Sequence, residues 1–215
     1  MFRTFLLLFS VLSGCSVDAG TTDTGSQDTG SQDTGSQDTG ATLLTGTELA
    51  GQWSSTVCEA YDDGNGGTNH LTRSFSLTAE RWSLDLTISG DADCTYGLFN
   101  VAIEGPYTLG GEAVVADATN GDFAFASNAW TALTEDMAAV FDQSACGAGG
   151  WEVGVPQDVT ETGCIGVAHP VAECPVEYDI VAIDGADLYF GARVTDMCVE
   201  EGRPTALAPY AVTRQ

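Results

Sequence analysis

The groups in this chain that could do chemistry are two histidines, seven cysteines and 31 acids; lysine is absent from all 215 residues. Zinc needs three or four nitrogen or sulfur ligands at short spacing. No Cys-x-x-Cys occurs, and His70 and His169 stand far apart. No Gly-x-Ser-x-Gly elbow, His-Glu-x-x-His, phosphate-binding glycine loop or dinucleotide fingerprint is present. Acids are so abundant that choosing any two as a glycosidase pair carries no information. His169, in Ala168-His169-Pro170, has no evident nucleophile beside it and reads as a surface loop residue. Asp62-Asp63-Gly64-Asn65-Gly66-Gly67 superficially suggests a calcium loop. Counted from Asp63, however, the positions needing Gly and Glu hold Thr68 and Ser74, so it is rejected. The expectation is a protein that is not an enzyme and carries neither metal nor cofactor.

The odd number of cysteines is explained at the N-terminus. Met1-Phe2-Arg3 supplies a positive charge, and residues 5–12 form an apolar run too short to span a bilayer, which together read as an export signal. The run ends in Leu12-Ser13-Gly14-Cys15, which resembles the bacterial lipobox, where small residues admit the signal peptidase and the thiol takes a diacylglyceryl group. Residues 1–14 are therefore expected to be removed and Cys15 to be the lipidated first residue. Ser16 after it resembles outer-membrane sorting in Gram-negative bacteria. Six cysteines remain, an even number in an exported chain, which points to disulfides; 15 pairings are open.

Residues 15–41 carry Asp-Thr-Gly-Ser-Gln three times, closed by Asp38-Thr39-Gly40. With no large apolar side chain in the repeat, it cannot offset its ordering entropy and reads as a tether, reaching about 25–30 Å as a flexible coil. The net charge is −25, and the expected folded part, 42–215, holds 26 acids against five arginines. Such a surface repels nucleic acid and anionic headgroups.

The remaining candidates are apolar, and strands must position them. Trp82, Leu84, Leu86 and Ile88 alternate with Ser83, Asp85, Thr87 and Ser89, while Leu71, Arg73, Phe75 and Leu77 alternate with polar residues just before. Period two puts each set on one face of a strand, and residues 78–81 are short enough to join them as a hairpin. Further strands are expected over 48–55, over 98–103 ending at Gly105-Pro106, over 113–116 and 123–126 around Thr119-Asn120-Gly121-Asp122, and over 151–155. One helix is expected after Thr134, with Met137, Val140 and Phe141 on one face. A hairpin is expected over 178–190 around Asp184-Gly185, with a last strand through Tyr210-Ala211-Val212. Partner numbers across that turn sum to about 369, and Cys174 plus Cys198 gives 372, so these two are expected to pair. Many short strands and one short helix predict an all-β antiparallel sheet, closed or strongly curved into a barrel-like shell. Its oily face is either filled by the chain itself or wraps a cavity; pattern alone leaves both open.

In its motifs the folded part resembles the APCDD domain, named for the adenomatosis polyposis coli down-regulated proteins, membrane-anchored Wnt inhibitors of animals. The resemblance runs through Gly51-Gln52-Trp53-Ser54 with Cys58-Glu59, Leu71-Thr72-Arg73-Ser74-Phe75, Trp82, Asp91 to Cys94, Gly105 to Tyr107, Cys146-Gly147, Trp151-Glu152-Val153-Gly154, Gly163-Cys164, Glu177-Tyr178-Asp179 and Arg203-Pro204-Thr205. It implies a lipocalin-like barrel or half-barrel with a pocket for an acyl chain. The chain departs from the family in having one such domain, an N-terminal lipid and an apparent insertion at 169–175, and the Wnt activity is not carried over. The expected site is then an apolar pocket lined by Trp53, Phe75, Trp82, Leu84, Leu86, Ile88 and Trp151. Arg73 either pairs with Glu59 or meets a ligand anion at the mouth. The expected disulfides are Cys58–Cys94, Cys146–Cys164 and Cys174–Cys198. The expected partners are a lipid or other hydrophobic molecule, the membrane through the N-terminal lipid, and not nucleic acid. The expected location is the outer membrane, on its periplasmic face or at the cell surface, and the alternative function is an envelope interaction or adhesion module with a filled core.

Overall fold

The computed structural model describes residues 43–62, 66–164 and 168–215. The export signal, Cys15 and the tether lie outside these residues, as does the middle of the acidic glycine loop after Tyr61. The elements are helical turn α1 (Gly46–Leu49), strands β1 (Gly51–Ser54), β2 (Glu59–Asp62), β3 (Thr68–Leu77), β4 (Arg81–Ser89), β5 (Gly97–Glu112), β6 (Thr119–Ala124) and β7 (Ser127–Ala132), helix α2 (Glu135–Gln143), and strands β8 (Pro156–Asp158), β9 (Val176–Asp184), β10 (Asp187–Phe190) and β11 (Val212–Arg214).

Eight strands close a ring in the order β1-β3-β4-β5-β6-β9-β10-β11 and back to β1, every pairing antiparallel. The long strands make the closure possible. β3 pairs with β1 through its second half and β2 through its first, and β5 pairs with β7 over residues 99–104 and β6 over 107–112. Beyond the closed ring, β2, β3, β4, β5, β7 and β8 continue as an open half-barrel.

Period two decides which face is inside. The row Trp53, Phe75, Leu84, Ile103 runs across β1, β3, β4 and β5 in direct register. These residues belong with Leu77, Trp82, Tyr107, Phe123, Val181, Leu188, Phe190 and Val212 to the core of the closed ring. The same faces of β4 and β5, continued through Leu86, Ile88, Phe99 and Val101, hold a second core with Trp130, Phe141, Trp151 and Val159 under α2. Thr134 starts that helix as read from its sequence, its hydroxyl accepting from the Met137 N–H at 3.2 Å.

Several boundaries differ from the sequence reading. Glu48 and Leu49 lie in α1 instead of the first strand, because the Thr45 N–H and hydroxyl both donate to the Glu48 carboxylate. β5 runs through Pro106, which falls where the strand hands over from β7 to β6, so its missing N–H leaves the ladder intact. At Gly105 an added Cβ would lie 1.9 Å from the Ala124 carbonyl oxygen, so only glycine fits there. Asn120-Gly121 lies inside β6, and the turn falls at residues 113–118, with Asp117 at φ 60°. Residues 151–155 form a loop anchored by Trp151, and the strand follows it as β8. The last hairpin pairs Asp184 with Asp187, a sum of 371. Gly185 and Ala186 form its turn, and the positive φ at Gly185 alone suits type II′. The final strand begins at Val212, after Tyr210 and Ala211.

Three disulfides brace the shell. Cys58–Cys94 joins the β1–β2 link to the β4–β5 turn, Cys146–Cys164 is buried beyond the end of α2, and Cys174–Cys198 clips the entry of β9 to the segment after β10.

Candidate functional site

The seven apolar residues expected to line one pocket are divided between the two cores: Trp53, Phe75, Trp82 and Leu84 in the closed ring, Leu86, Ile88 and Trp151 in the half-barrel. Trp53, Phe75, Trp82 and Trp151 are each 6% exposed or less, and the three aliphatic residues are half-buried. Their neighbours are the chain's own side chains. Phe75 stacks on Phe190 at 4.6 Å between centroids, Trp82 meets Phe123 edge-on at 5.5 Å, and Tyr107 stacks on Phe123 at 5.5 Å. In the second core Phe141 touches Phe99, Trp130 and Trp151, with centroids 4.7–5.5 Å away.

All four indole N–H groups donate within the chain: Trp53 to the Leu49 carbonyl (2.8 Å), Trp82 to Ala124 (3.0 Å), Trp130 to the Asn128 side chain (2.8 Å) and Trp151 to Cys146 (2.9 Å). At one end of the ring, Arg214 lays its guanidinium 4.2 Å over the Trp53 ring and donates to the Glu48 and Ala50 carbonyls. Leu49 of α1 is fully buried in the same core, so helix, indole and arginine close that end together.

The other end is charged. Glu59 is completely buried and accepts from Arg73 Nε (3.1 Å) and Nη2 (3.0 Å), the Ser55 hydroxyl (2.5 Å) and the Tyr61 hydroxyl (2.8 Å). Arg73 spends a further donor on the Tyr210 carbonyl at 3.0 Å. Of the two roles open to Arg73, the ion pair with Glu59 is formed, and the guanidinium is held by protein groups on both sides. Burial pushes the Tyr61 hydroxyl well above its ordinary pKa, so it stays protonated and donates. Asp179, 5% exposed, lies on the strand face of Val181 and accepts from the Ile180 and Gly191 N–H groups at 2.7 and 2.9 Å. Burial raises its carboxyl to about 6 against the opposing pull of Arg193, which is itself ion-paired with Glu177. Asp179 was not singled out from sequence, although parity within β9 was the available signal: it shares a face with Val181 and Ile183.

A shallow slot of about 240 Å³ lies on the outer wall, lined by Pro106, Tyr107, Thr108, Asp122, Ala124, Val176 and Tyr178. It is below the range of about 300–1,000 Å³ typical of small-molecule sites. None of the expected pocket residues lines it. Arg203 covers one side of its aromatic wall, 5.2 Å over the Tyr178 ring, and pairs with Asp122 at 2.7 Å.

Among the described residues no three His, Cys, Asp or Glu side chains gather to hold a metal, and the six cysteines are bridged. His169 is exposed beside Glu173 at 3.2 Å. No helix among them is long and apolar enough to cross a membrane. No family model matches the chain.

Proposed function

We propose that this chain is an extracytoplasmic lipoprotein, anchored by a diacylglyceryl group on Cys15 and carried on the tether of residues 15–41, whose barrel works through its outer surface as a protein-interaction module at the outer membrane. The observation that carries this reading is the filled interior: interlocked rings, satisfied indoles and plugged ends leave the outside as the surface offered to partners. The acidic surface suits a soluble domain held near, but not on, an anionic membrane. The test is site-specific photo-cross-linking in intact cells from positions spread over the barrel, with fractionation of a Cys15→Ser variant beside it. The reading expects one envelope protein captured from a contiguous set of positions, and release of Cys15→Ser from the membrane fraction. Cross-links to no protein from any position would overturn it.

A second reading, the one the APCDD resemblance implies, is a barrel that binds a hydrophobic ligand such as an acyl chain. An eight-stranded closed barrel is the size that can hold one small ligand, which favours it. In this reading Trp53, Phe75, Trp82, Leu84, Leu86, Ile88 and Trp151 part to admit the chain, and Arg73 leaves Glu59 for its head group. Each buried CH₂ would contribute about 0.8 kcal/mol. Solvent extraction of the purified protein, with displacement of a fluorescent fatty acid, tests it.

A further inference from the structure

Nine large apolar side chains are exposed among the described residues, and they are not spread evenly. Five of them, Val57, Tyr96, Leu133, Val153 and Val155, belong to one rim of the half-barrel. A Cβ on Gly90 would meet both Tyr96 and Leu98, and one on Gly97 would meet Leu133, which places these side chains around the β4–β5 turn. The Gly154 N–H donates to the Ala132 carbonyl at 2.8 Å and brings Val153 and Val155 alongside. The Cys58–Cys94 disulfide ties Val57 to the same turn.

The charge around Tyr96, Leu133, Val153 and Val155 has a single sign. From Trp82 to Ala192 the chain has 18 acids and neither lysine nor arginine. Asp93, Glu135, Asp136 and Glu152, all exposed, are sequence neighbours of the apolar rim residues. The five arginines of the folded part are Arg73, Arg81, Arg193, Arg203 and Arg214. Four of them are committed to protein acceptors in the closed ring, and Arg81 opens β4 at the far turn.

The rim also lies at the opposite end of the barrel from the point where the described chain begins. The Leu44 N–H donates to Thr119, and the Tyr107 hydroxyl to the Thr78 carbonyl beside Gly46 and Ala79, so the described chain enters at the β3–β4 turn. The rim lies at the other end of the nine-residue β4, about 30 Å away at roughly 3.3 Å per residue. An anionic bilayer is a poor occupant for it, because its headgroup charge has the same sign as the acids beside the rim.

We propose that this rim is the docking face for a protein segment that carries large apolar side chains flanked by lysine or arginine. The inference rests on the interaction-module reading and adds to it the face and the partner's chemistry. Apolar anchors ringed by charge of one sign select a segment of opposite charge.

The test uses the full-length chain and three fluorescent peptides: leucines flanked by lysines, the same peptide with glutamates for lysines, and one with serines for leucines. Anisotropy should report binding of the first only, weakened by raised salt. A Leu133→Ser, Val155→Ser variant should lose about tenfold or more in affinity, as removal of buried anchors does. Val194→Ser, exposed elsewhere, should change nothing, and circular dichroism should show all variants folded. Equal binding by the rim variant, equal binding of the serine peptide, or no binding of the lysine–leucine peptide overturns the proposal. So does rim-dependent binding to phosphatidylcholine vesicles without peptide binding, which would make the occupant a membrane. Envelope cross-links that map away from the rim overturn this assignment while leaving the interaction reading in place; absence of all cross-links overturns both.

Discussion

Glu59 is a carboxylate taken wholly out of water, and it survives there because four donors meet it. Removing one partner of such a pair strands the other charge, which typically costs 3–5 kcal/mol, whereas replacing both with apolar residues is often neutral. Glu59→Ala is expected to lose about that much in urea unfolding, and Glu59→Leu with Arg73→Met to lose much less. Asp179 makes a different prediction. Its folded carboxyl titrates near 6, above its ordinary 3.8, so protonation favours the folded state. That contribution is fully present below about pH 4 and is lost as pH rises through 6, a swing on the order of 3 kcal/mol. Wild type should therefore lose stability relative to Asp179→Asn across pH 4–6.5, measured by urea midpoints. A flat difference would contradict the burial argument.

At the scale of elements, α2 is the cover of the half-barrel, held by Phe141 among three other aromatic rings and started by the Thr134 cap. Phe141→Ala should cost about 3–5 kcal/mol and Thr134→Ala about 1, both read from denaturant unfolding. This is also the scale at which sequence was most legible. The β3–β4 hairpin and α2 announce themselves, because period two and a capped 3.6-residue stripe are local signals. The Cys174–Cys198 bridge follows from hairpin register with an error of one residue. What failed was punctuation: Asn120-Gly121 and Gly105-Pro106 look like turns, yet both sit in strands where tertiary pairing overrides local preference. The site was half legible. Alternation shows that Trp82 and Phe75 face inward, but not what lies opposite them. Phe123 and Phe190 arrive there from 41 and 115 residues further along the chain, and only closure of the ring brings them together.

The whole molecule is a shell closed in three ways: by strands, by side chains filling it, and by bridges spanning 36, 18 and 24 residues. By the chain-entropy account each bridge is worth about 3–4 kcal/mol, so reduction should lower the urea midpoint sharply. Partial reduction that leaves the Cys146–Cys164 pair, buried beyond the end of α2, should cost less.

An interaction module and a ligand carrier differ in whether the interior has room for anything besides the protein. Native mass spectrometry of the protein purified from the cells that make it, with a fluorescent fatty acid titrated into the same sample, measures this directly. A barrel filled by Phe75, Trp82, Phe123 and Phe190 predicts a single mass, that of the polypeptide with the lipid proposed for Cys15, and no saturable fatty-acid signal. A stoichiometric adduct that leaves on solvent extraction, or saturable binding abolished by Phe75→Trp, would contradict it.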